Sequence, residues 1–466
     1  MRKLLTILLF PLQLFATNYY ISNSGSDAAA GTSTGTAWAT ITKLNASWAS
    51  INAGDNILFQ RGGTFYGSIN VGSSGTIGNI ITFADYGAGA KPKLFGSVRE
   101  NTAGQWTNIS GNLWRNNDGL LTTDVGNIVF NGEAFCGVKL MTATPAYTTQ
   151  GQFWYDFVNH WVVVYSVGNP GTFYTDIQCV PKTDAVNTLT GKSYLTFQNL
   201  DFRYYGVCVW EIGGNFLTWQ DLNISYIGGC DQFNNYANRY GNALQMWEGI
   251  TDITIQRCVI DNIYDTGITP QGYNGTYNTN NLFIRNNTIS NCEYSFEFYE
   301  RPVTSTTTNV YFEYNTCINA GSGWSHAQRG AVNGCHMRIA LFTGVKSNIF
   351  IRNNIFSGAT EEISYCINAT DYANMVVDYN DLYQSSGNIG RINGTATNYA
   401  SLATWQTATS QEVHSINSNP LFVSGTDFHL TNPSPCRNIA FNSGLGIDLG
   451  AYQFANLGGN FNMNFH

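Results

Sequence analysis

Four segments of this chain align without gaps: "ITIQRCVIDNIYDTGITPQG" from Ile253, "LFIRNNTISNCEYSFEFYER" from Leu282, "VYFEYNTCINAGSGWSHAQR" from Val310 and "IFIRNNIFSGATEEISYCIN" from Ile349. Two earlier segments, "LTFQNLDFRYYGVCVW" from Leu195 and "LTWQDLNISYIGGC" from Leu217, fit more loosely. Each reads as a short β-branched or aromatic strand, an Asn-containing turn, a second short strand, a small-residue turn and a third strand. Helical periodicity is missing from this region. A unit of this kind cannot bury its own apolar face, so successive units must stack. The repeat therefore predicts one coil of a parallel β-solenoid per segment, with like residues about 4.8 Å apart along the stack.

Equivalent positions form columns. Ile255, Ile284, Phe312 and Ile351 make one apolar column, and Ile260, Ile289, Cys317 and Phe356 another. Asn287, Asn315 and Asn354 make an asparagine column at the first turn, with Cys258 in the same place. Asparagine is expected there because it hydrogen-bonds up and down a stack and tolerates left-handed backbone. The tightest spacing, Phe197 to Trp219, is 22 residues, and the excess in later coils falls in loops at 229–243, 272–280, 302–308 and 330–347. Insertions that recur at corresponding places project from one side. The groove between such walls suits an extended polymer.

Arg2 and Lys3 followed by the apolar run Leu4 to Phe15 read as an export signal ending at Ala16, too short to span a membrane. The expected boundaries are 1–16 signal peptide, 17–454 solenoid domain with its N-terminal cap, and 455–466 tail. The product is then secreted, periplasmic or at the cell surface. The cap includes a short amphipathic helix from Ala37, since a solenoid must cover its first coil. The net charge of −8 becomes more negative once Arg2 and Lys3 are lost, which argues against nucleic acid and anionic membranes as partners. None of the ten cysteines stands in a C-x-x-C pair, so zinc and redox motifs are absent. Cys230 and Cys335 lie in loop-like sequence and are expected to pair. Cys258, Cys292 and Cys317 fall in strand patterns and are expected to be buried thiols.

The opening "YYISNSGSDAAAGTS…AWATI…INAGDNILFQRGGTF" and the ending "DFHLTNPSPCRNIA…DLGAYQF" resemble secreted right-handed parallel β-helix proteins of the pectate-lyase-like superfamily. The resemblance covers nearly the whole mature chain and implies an all-β, single-domain right-handed parallel β-helix. It does not choose a function, because that superfamily includes polysaccharide lyases, glycoside hydrolases, epimerases, adhesins and phage tailspikes. The central stretches "DTGITPQG", "EYSFEFYERP" and "GWSHAQRGAVNGCH" resemble motifs of bacterial β-helix proteins with polysaccharide substrates.

Only 11% of the chain is charged, yet "CEYSFEFYER" concentrates Glu293, Glu297, Glu300 and Arg301. Phe296 and Phe298 flank Glu297, so rings that point inward turn Glu297 and Tyr299 outward. The gap-free alignment places Ile268, Glu297, Ser325 and Ser364 in one column, Gln271, Glu300 and Gln328 in another, and Arg301 with Arg329 in the next. Stacked arginines repel unless an anion sits on them. Either Glu297 or Glu300 completes a surface ion ladder, or the arginines receive the carboxylate or sulfate of a sugar. Asp265, one coil earlier, is either a turn residue bonded to its own backbone or half of a carboxylate pair with Glu297 or Glu300, suited to glycoside hydrolysis. His326 shares the parity of Phe298 and is expected in the interior, unless a bend exposes it. His336 in the following loop is a second candidate proton acceptor. Lys139 and Lys346 are the lysines in plausible cleft positions. Trp247 is a candidate sugar platform, whereas Trp324 aligns with Phe296 and is expected in the core. Asp231, Asp265 and Glu293 are candidate calcium ligands, and no cofactor is required.

The expected function is an exported monomeric enzyme that cleaves an acidic polysaccharide. Its catalytic candidates are Asp265, Glu297, Glu300 and His326. Its substrate-binding candidates are Arg301, Arg329, Tyr299, Gln271, Gln328, Trp247 and His336. Hydrolysis by a carboxylate pair is preferred over β-elimination of a uronan, and a non-catalytic glycan-binding or adhesive protein is the competing class.

Overall fold

A computed structural model describes residues 16–143, 145–273, 275–330, 333–340 and 343–454. Apart from Ala16, the expected export signal lies outside the described residues, as does the 455–466 tail. Three long sheets run the length of the molecule. The first pairs ten strands in parallel, from Asn18–Ile21 to Met375–Asp378. The second pairs nine, from Thr64–Tyr66 to Asp381–Tyr383. The third pairs eight, from Trp210–Ile212 through Leu244–Trp247, Thr266–Gly272, Tyr294–Glu300, Cys335–Ile339, Glu362–Cys366 and Asn388–Ile392, closed by the antiparallel Thr397–Tyr399. From Ser193–Gln198 to Asn388–Ile392 each coil gives one strand to each sheet in turn. This is the parallel β-helix expected from the repeat. Among the described residues no helix is long and apolar enough to cross a membrane.

The two apolar columns are strand register. Ile255, Ile284, Phe312 and Ile351 are successive partners in the first sheet. Ile260, Ile289, Cys317 and Phe356 are successive partners in the second. All of them are buried in one continuous core. Aromatic residues extend the columns: Phe83, Phe197 and Trp219 stack with centroids 4.5 and 4.3 Å apart.

The asparagine column is a buried hydrogen-bonded ladder. The Oδ1 of Asn287 accepts from the backbone N–H of Cys258 at 2.9 Å, that of Asn315 from Asn287 at 3.0 Å, and that of Asn354 from Asn315 at 2.8 Å. Each Nδ2 donates back to a carbonyl of the preceding coil, at Ile255, Ile284 and Phe312 respectively. Asn380 adds a rung, and there the ladder ends on Ser415 and Glu412. The left-handed backbone is one residue earlier than expected, at Arg257, Asn286, Tyr314, Asn353 and Tyr379. The asparagines are selected for their two-sided amide, not for their backbone.

The cap helix is Ile41–Asn45, begun by Thr40, whose hydroxyl accepts from the N–H of Lys43. Ile41 and Leu44 bury its apolar side on the first coils. At the other end Leu402–Thr409, a helix the repeat did not announce, lays Trp405 over Gly390. Between Lys93–Phe95 and Ser193–Gln198 the coil is interrupted by two small sheets with a core of their own, around Phe130, Phe153 and Tyr155.

All ten cysteines are free. The expected Cys230–Cys335 pair is not formed: Cys230 is buried against the carbonyl of Asp124, and Cys335 packs with Tyr294 and Tyr365. Cys258, Cys292 and Cys317 are buried thiols, as expected.

Asn354→Ala strands the N–H of Asn315 and the carbonyl of Phe312 in the interior. At about 1–3 kcal/mol for each unsatisfied buried group, the variant is expected to lose roughly 2–6 kcal/mol in chemical unfolding. A loss within about 0.5 kcal/mol, the ordinary range for a surface substitution, would show that the ladder is dispensable.

Candidate active site

A groove of about 650 Å³ lies on the outer face of the third sheet. Its floor is read directly from the register. Trp247, Gln271 and Tyr299 form one outward row on successive strands. Glu297, Arg338 and Tyr365 form the neighbouring row. Phe296 and Phe298 point into the core, which turns Glu297 and Tyr299 to the groove as the alternation requires.

Glu297 is 3% exposed. Its Oε2 accepts from Gln271 Nε2 at 3.0 Å, Thr266 Oγ1 at 3.3 Å and Thr269 Oγ1 at 3.4 Å. Its Oε1 lies 3.4 Å from Arg338 Nη1. Burial raises its pKa above the ordinary glutamate value, and the negative charge of Asp265 adds to that rise, while Arg338 and the donors from Gln271 and Thr266 oppose it. Asp265 is in a different setting. Arg329 Nη2 stands 3.2 Å from its Oδ1, an ion pair without hydrogen-bond alignment. Asp265 is therefore an ion-paired carboxylate and not the self-bonded turn residue that was its alternative.

Arg329 comes from a loop. Between Thr316–Ala320 and Cys335–Ile339 the chain leaves the coil through Gly321 and returns through Gly334. A Cβ on Gly321 would lie 2.7 Å from the Cα of Gly334, so the neck admits no side chain. Within the loop Trp324 Nε1 donates to the carbonyl of Asn262 at 3.0 Å, and Arg329 Nη1 donates to that of Tyr264 at 3.0 Å. Glu293, fully buried, holds His326 Nδ1 at 2.9 Å and lies 3.7 Å from Arg329 Nε.

Several sequence expectations are corrected by this geometry. Residues Ser325 to Arg329 are not the rung after Glu297: that rung is Cys335–Ile339, and the neighbour of Glu297 is Arg338. Arg301 and Arg329 do not stack. Arg301 lies over the rings of Tyr273 and Tyr299, at 4.5 and 5.8 Å, with no carboxylate partner among the described residues. Glu300 shares the inward side of Phe298, is buried, and is bonded to Thr279 and Thr307, so it does not face the groove. Gln328 is a structural link, accepting from the N–H of Lys139 and from Arg239. His326 is not interior: its side chain is 23% exposed beside Glu293. His336 is not in the loop but turned inward at a corner, between Ser295 Oγ and the carbonyl of Gly358, and burial lowers its pKa to about 4. Trp324 covers the loop instead of filling the core. Lys139 is locked in a buried pair with Asp124, and Lys346 donates to the carbonyl of Asp371. Asp231, Asp265 and Glu293 do not converge: Asp231 accepts backbone N–H groups of its own loop, Arg329 occupies the other two, and no metal-binding cluster exists among the described residues.

Three charged residues at the groove escaped the sequence reading, Glu211 and two arginines. Arg338 is one. The run Cys335-His336-Met337-Arg338-Ile339 matches Tyr294-Ser295-Phe296-Glu297-Phe298 position for position, and that alternation was the available signal. Arg239 is the other. It donates to the carbonyls of Gly229 and Gly126 at 2.7 Å each and to Gln328 Oε1 at 2.9 Å, joining a coil, the inserted sheets and the loop. No sequence pattern marks it.

The sequence matches no family model and no curated protein. Among solved structures it is similar to one described as a glycoside hydrolase, at 11% identity over 81% of this chain and 95% of that one, with a TM-score of 0.48. It is similar to the complex of XylC with xylose at 13% identity over 80% and 71%, TM-score 0.45. It is also similar to the pectate lyase Pel9A at 13% identity over 94% and 96%, TM-score 0.43. Identities this low concern the fold alone and say nothing of the reaction.

The inward placement of Glu300 has a measurable consequence. Burial raises its pKa from 4.5 to about 7. A carboxyl whose folded pKa is raised contributes its full stability below the unfolded pKa and loses it as pH rises through the folded one. Glu300→Gln, neutral at every pH, is therefore expected to match the native chain in thermal unfolding at acidic pH and to be more stable above neutrality. Equal stability at alkaline pH would contradict the assignment.

Proposed function

We propose that this chain is an exported enzyme that hydrolyses a glycosidic bond of a polysaccharide, with Glu297 as general acid and Asp265 as the second carboxyl group, acting as nucleophile or base. The observation that carries this reading is the unequal burial of Glu297 and Asp265, two of the three carboxyl groups that line the groove with Glu211. Glu297 is buried, held by Gln271 and two threonines with Arg338 3.4 Å away, and burial outweighs that guanidinium and favours its protonated form. Asp265 is the more open of the two, its side chain 21% exposed, and it is ion-paired to Arg329 at 3.2 Å. A carboxyl whose protonated form burial favours, beside a more exposed second carboxyl, suits a division of acid and base roles. Glu297 gives its proton to the departing glycosidic oxygen. Asp265 faces the positive charge that develops on the sugar ring, either attacking it or activating water.

The remaining groove residues fit a sugar chain. Trp247 and Tyr299 offer ring surface on either side of the Gln271 amide, and Arg301 at the rim is free to meet an anionic substituent. β-Elimination of a uronan is the second reading, supported by the arginines near the groove. It is the weaker one because Arg329 and Arg338 already lie on carboxylates, and neither histidine candidate lines the groove: His326 is held by Glu293 in the loop and His336 is interior. A purely adhesive role has no use for a carboxyl held by three donors at the floor of the groove.

Polysaccharides digested with native and substituted protein test the proposal. Glu297→Gln and Asp265→Asn are each expected to lower kcat by about 10²-fold or more, and full activity in both would sink it. Activity should fall as pH rises through the elevated pKa of Glu297. Because Arg338 opposes that elevation, Arg338→Met is expected to move the alkaline limb to higher pH, and a limb that stays in place would remove Glu297 from the acid role.

A further inference from the structure

A second cavity, of about 470 Å³, lies where the inserted sheets meet the outer face of the second sheet. Its floor is aromatic. Tyr66 meets Phe95 edge-to-face at 5.6 Å, and Phe95 meets Tyr204 at 4.6 Å. Tyr66 is 44% exposed, an unusual state for a ring set in a groove whose other rings are covered. The walls are charged. Arg203 lies on Glu133 and on Asp201 at 2.5 and 2.8 Å, and Arg99 lies 3.2 Å from Asp176. Lys93, on the strand that carries Phe95, has no carboxylate at ion-pair distance among the described residues. The groove therefore presents one open aromatic surface and one unmatched cation.

We propose that this groove is a second glycan-binding site, taking a uronate-bearing stretch of the polymer with a sugar ring on Tyr66 and its carboxylate on Lys93. An aromatic face packs against the C–H face of a pyranose while polar walls meet its hydroxyls. Lysine suits a single carboxylate as a point charge. The inference rests on the reading that the chain acts on a polysaccharide. The insert separates the two grooves: Gly126 bonds Arg239 of the first groove and Lys139 bonds Gln328 of the loop that carries Arg329, whereas Glu133 and Asp176 wall the cavity with Tyr66. A polymer held at the second site raises the effective concentration of its own bonds at the first.

The test is calorimetric titration of the Glu297→Gln chain with hexameric oligosaccharides of galacturonate, mannuronate and glucuronate. At least one of these probes is expected to show two binding events per chain, and adding Tyr66→Ala with Lys93→Ala is expected to abolish one. A single event or none with every probe, or two events that survive the added substitutions, overturns the inference. Tyr66 is 44% exposed and Lys93 has no carboxylate partner among the described residues, so at most a modest shift in thermal unfolding is expected, and a retained cooperative transition confirms that a lost event is not lost fold. Polymer cleavage by the native chain is read separately: if it proceeds and only the second event is missing, this inference fails and the proposed reaction stands.

Discussion

The buried asparagine ladder is the interaction on which the rest depends. A coil that turns inside the protein must satisfy backbone groups where no water reaches them. Here one side-chain amide per coil does so in both directions, accepting from the coil before and donating to its carbonyl. Ser415 and Glu412 end the series by supplying the acceptors that a further coil would have supplied. With the first turn fixed in register, the apolar columns of two sheets fall into line, and every third-sheet strand starts from a defined corner.

That register is what makes a site. Alternation sends Phe296 and Phe298 inward and Glu297 and Tyr299 outward, and strand pairing then places Thr269, Gln271 and Arg338 beside them. The strands alone would leave Glu297 on an open surface. Enclosure comes from chain that has left the coil. The loop between Gly321 and Gly334 brings Arg329 to Asp265, and Arg239 clamps that loop to the inserted sheets and to a coil through three neutral acceptors. Glu293 steadies Arg329 from below while holding His326. The charged residues of the central run thus divide by direction: Glu297 outward to the groove, Glu300 inward to two threonines, Glu293 to the loop, and Arg301 to the rim.

The sequence disclosed the first two strands of each coil almost completely, because their spacing is constant and their interior residues are unmistakably apolar. It disclosed the third strand poorly. Ile268 pairs with Phe296 and not with Glu297, since the preceding turn is one residue shorter than a gap-free alignment assumes. The next third strand is displaced by the whole loop, which carried His326, Gln328 and Arg329 out of the columns assigned to them. A direct ion ladder of the expected kind does exist, but elsewhere, with Glu313 between Arg285 and Arg352 on the first sheet. Asp265 and Glu297 were recoverable because parity and proximity to a turn are local properties. Arg239 was not, because two of its three partners are 89 and 113 residues away in sequence.

The central claim is that the groove breaks glycosidic bonds by hydrolysis, with a proton from Glu297. The most direct measurement is the fate of solvent oxygen. A polysaccharide that the native chain cleaves is digested in heavy-oxygen water, and the products are weighed by mass spectrometry. Hydrolysis predicts one heavy oxygen at each new reducing end and no ultraviolet absorbance from an unsaturated sugar. Products that carry the unsaturated ring and no solvent oxygen would contradict the account and establish elimination in its place.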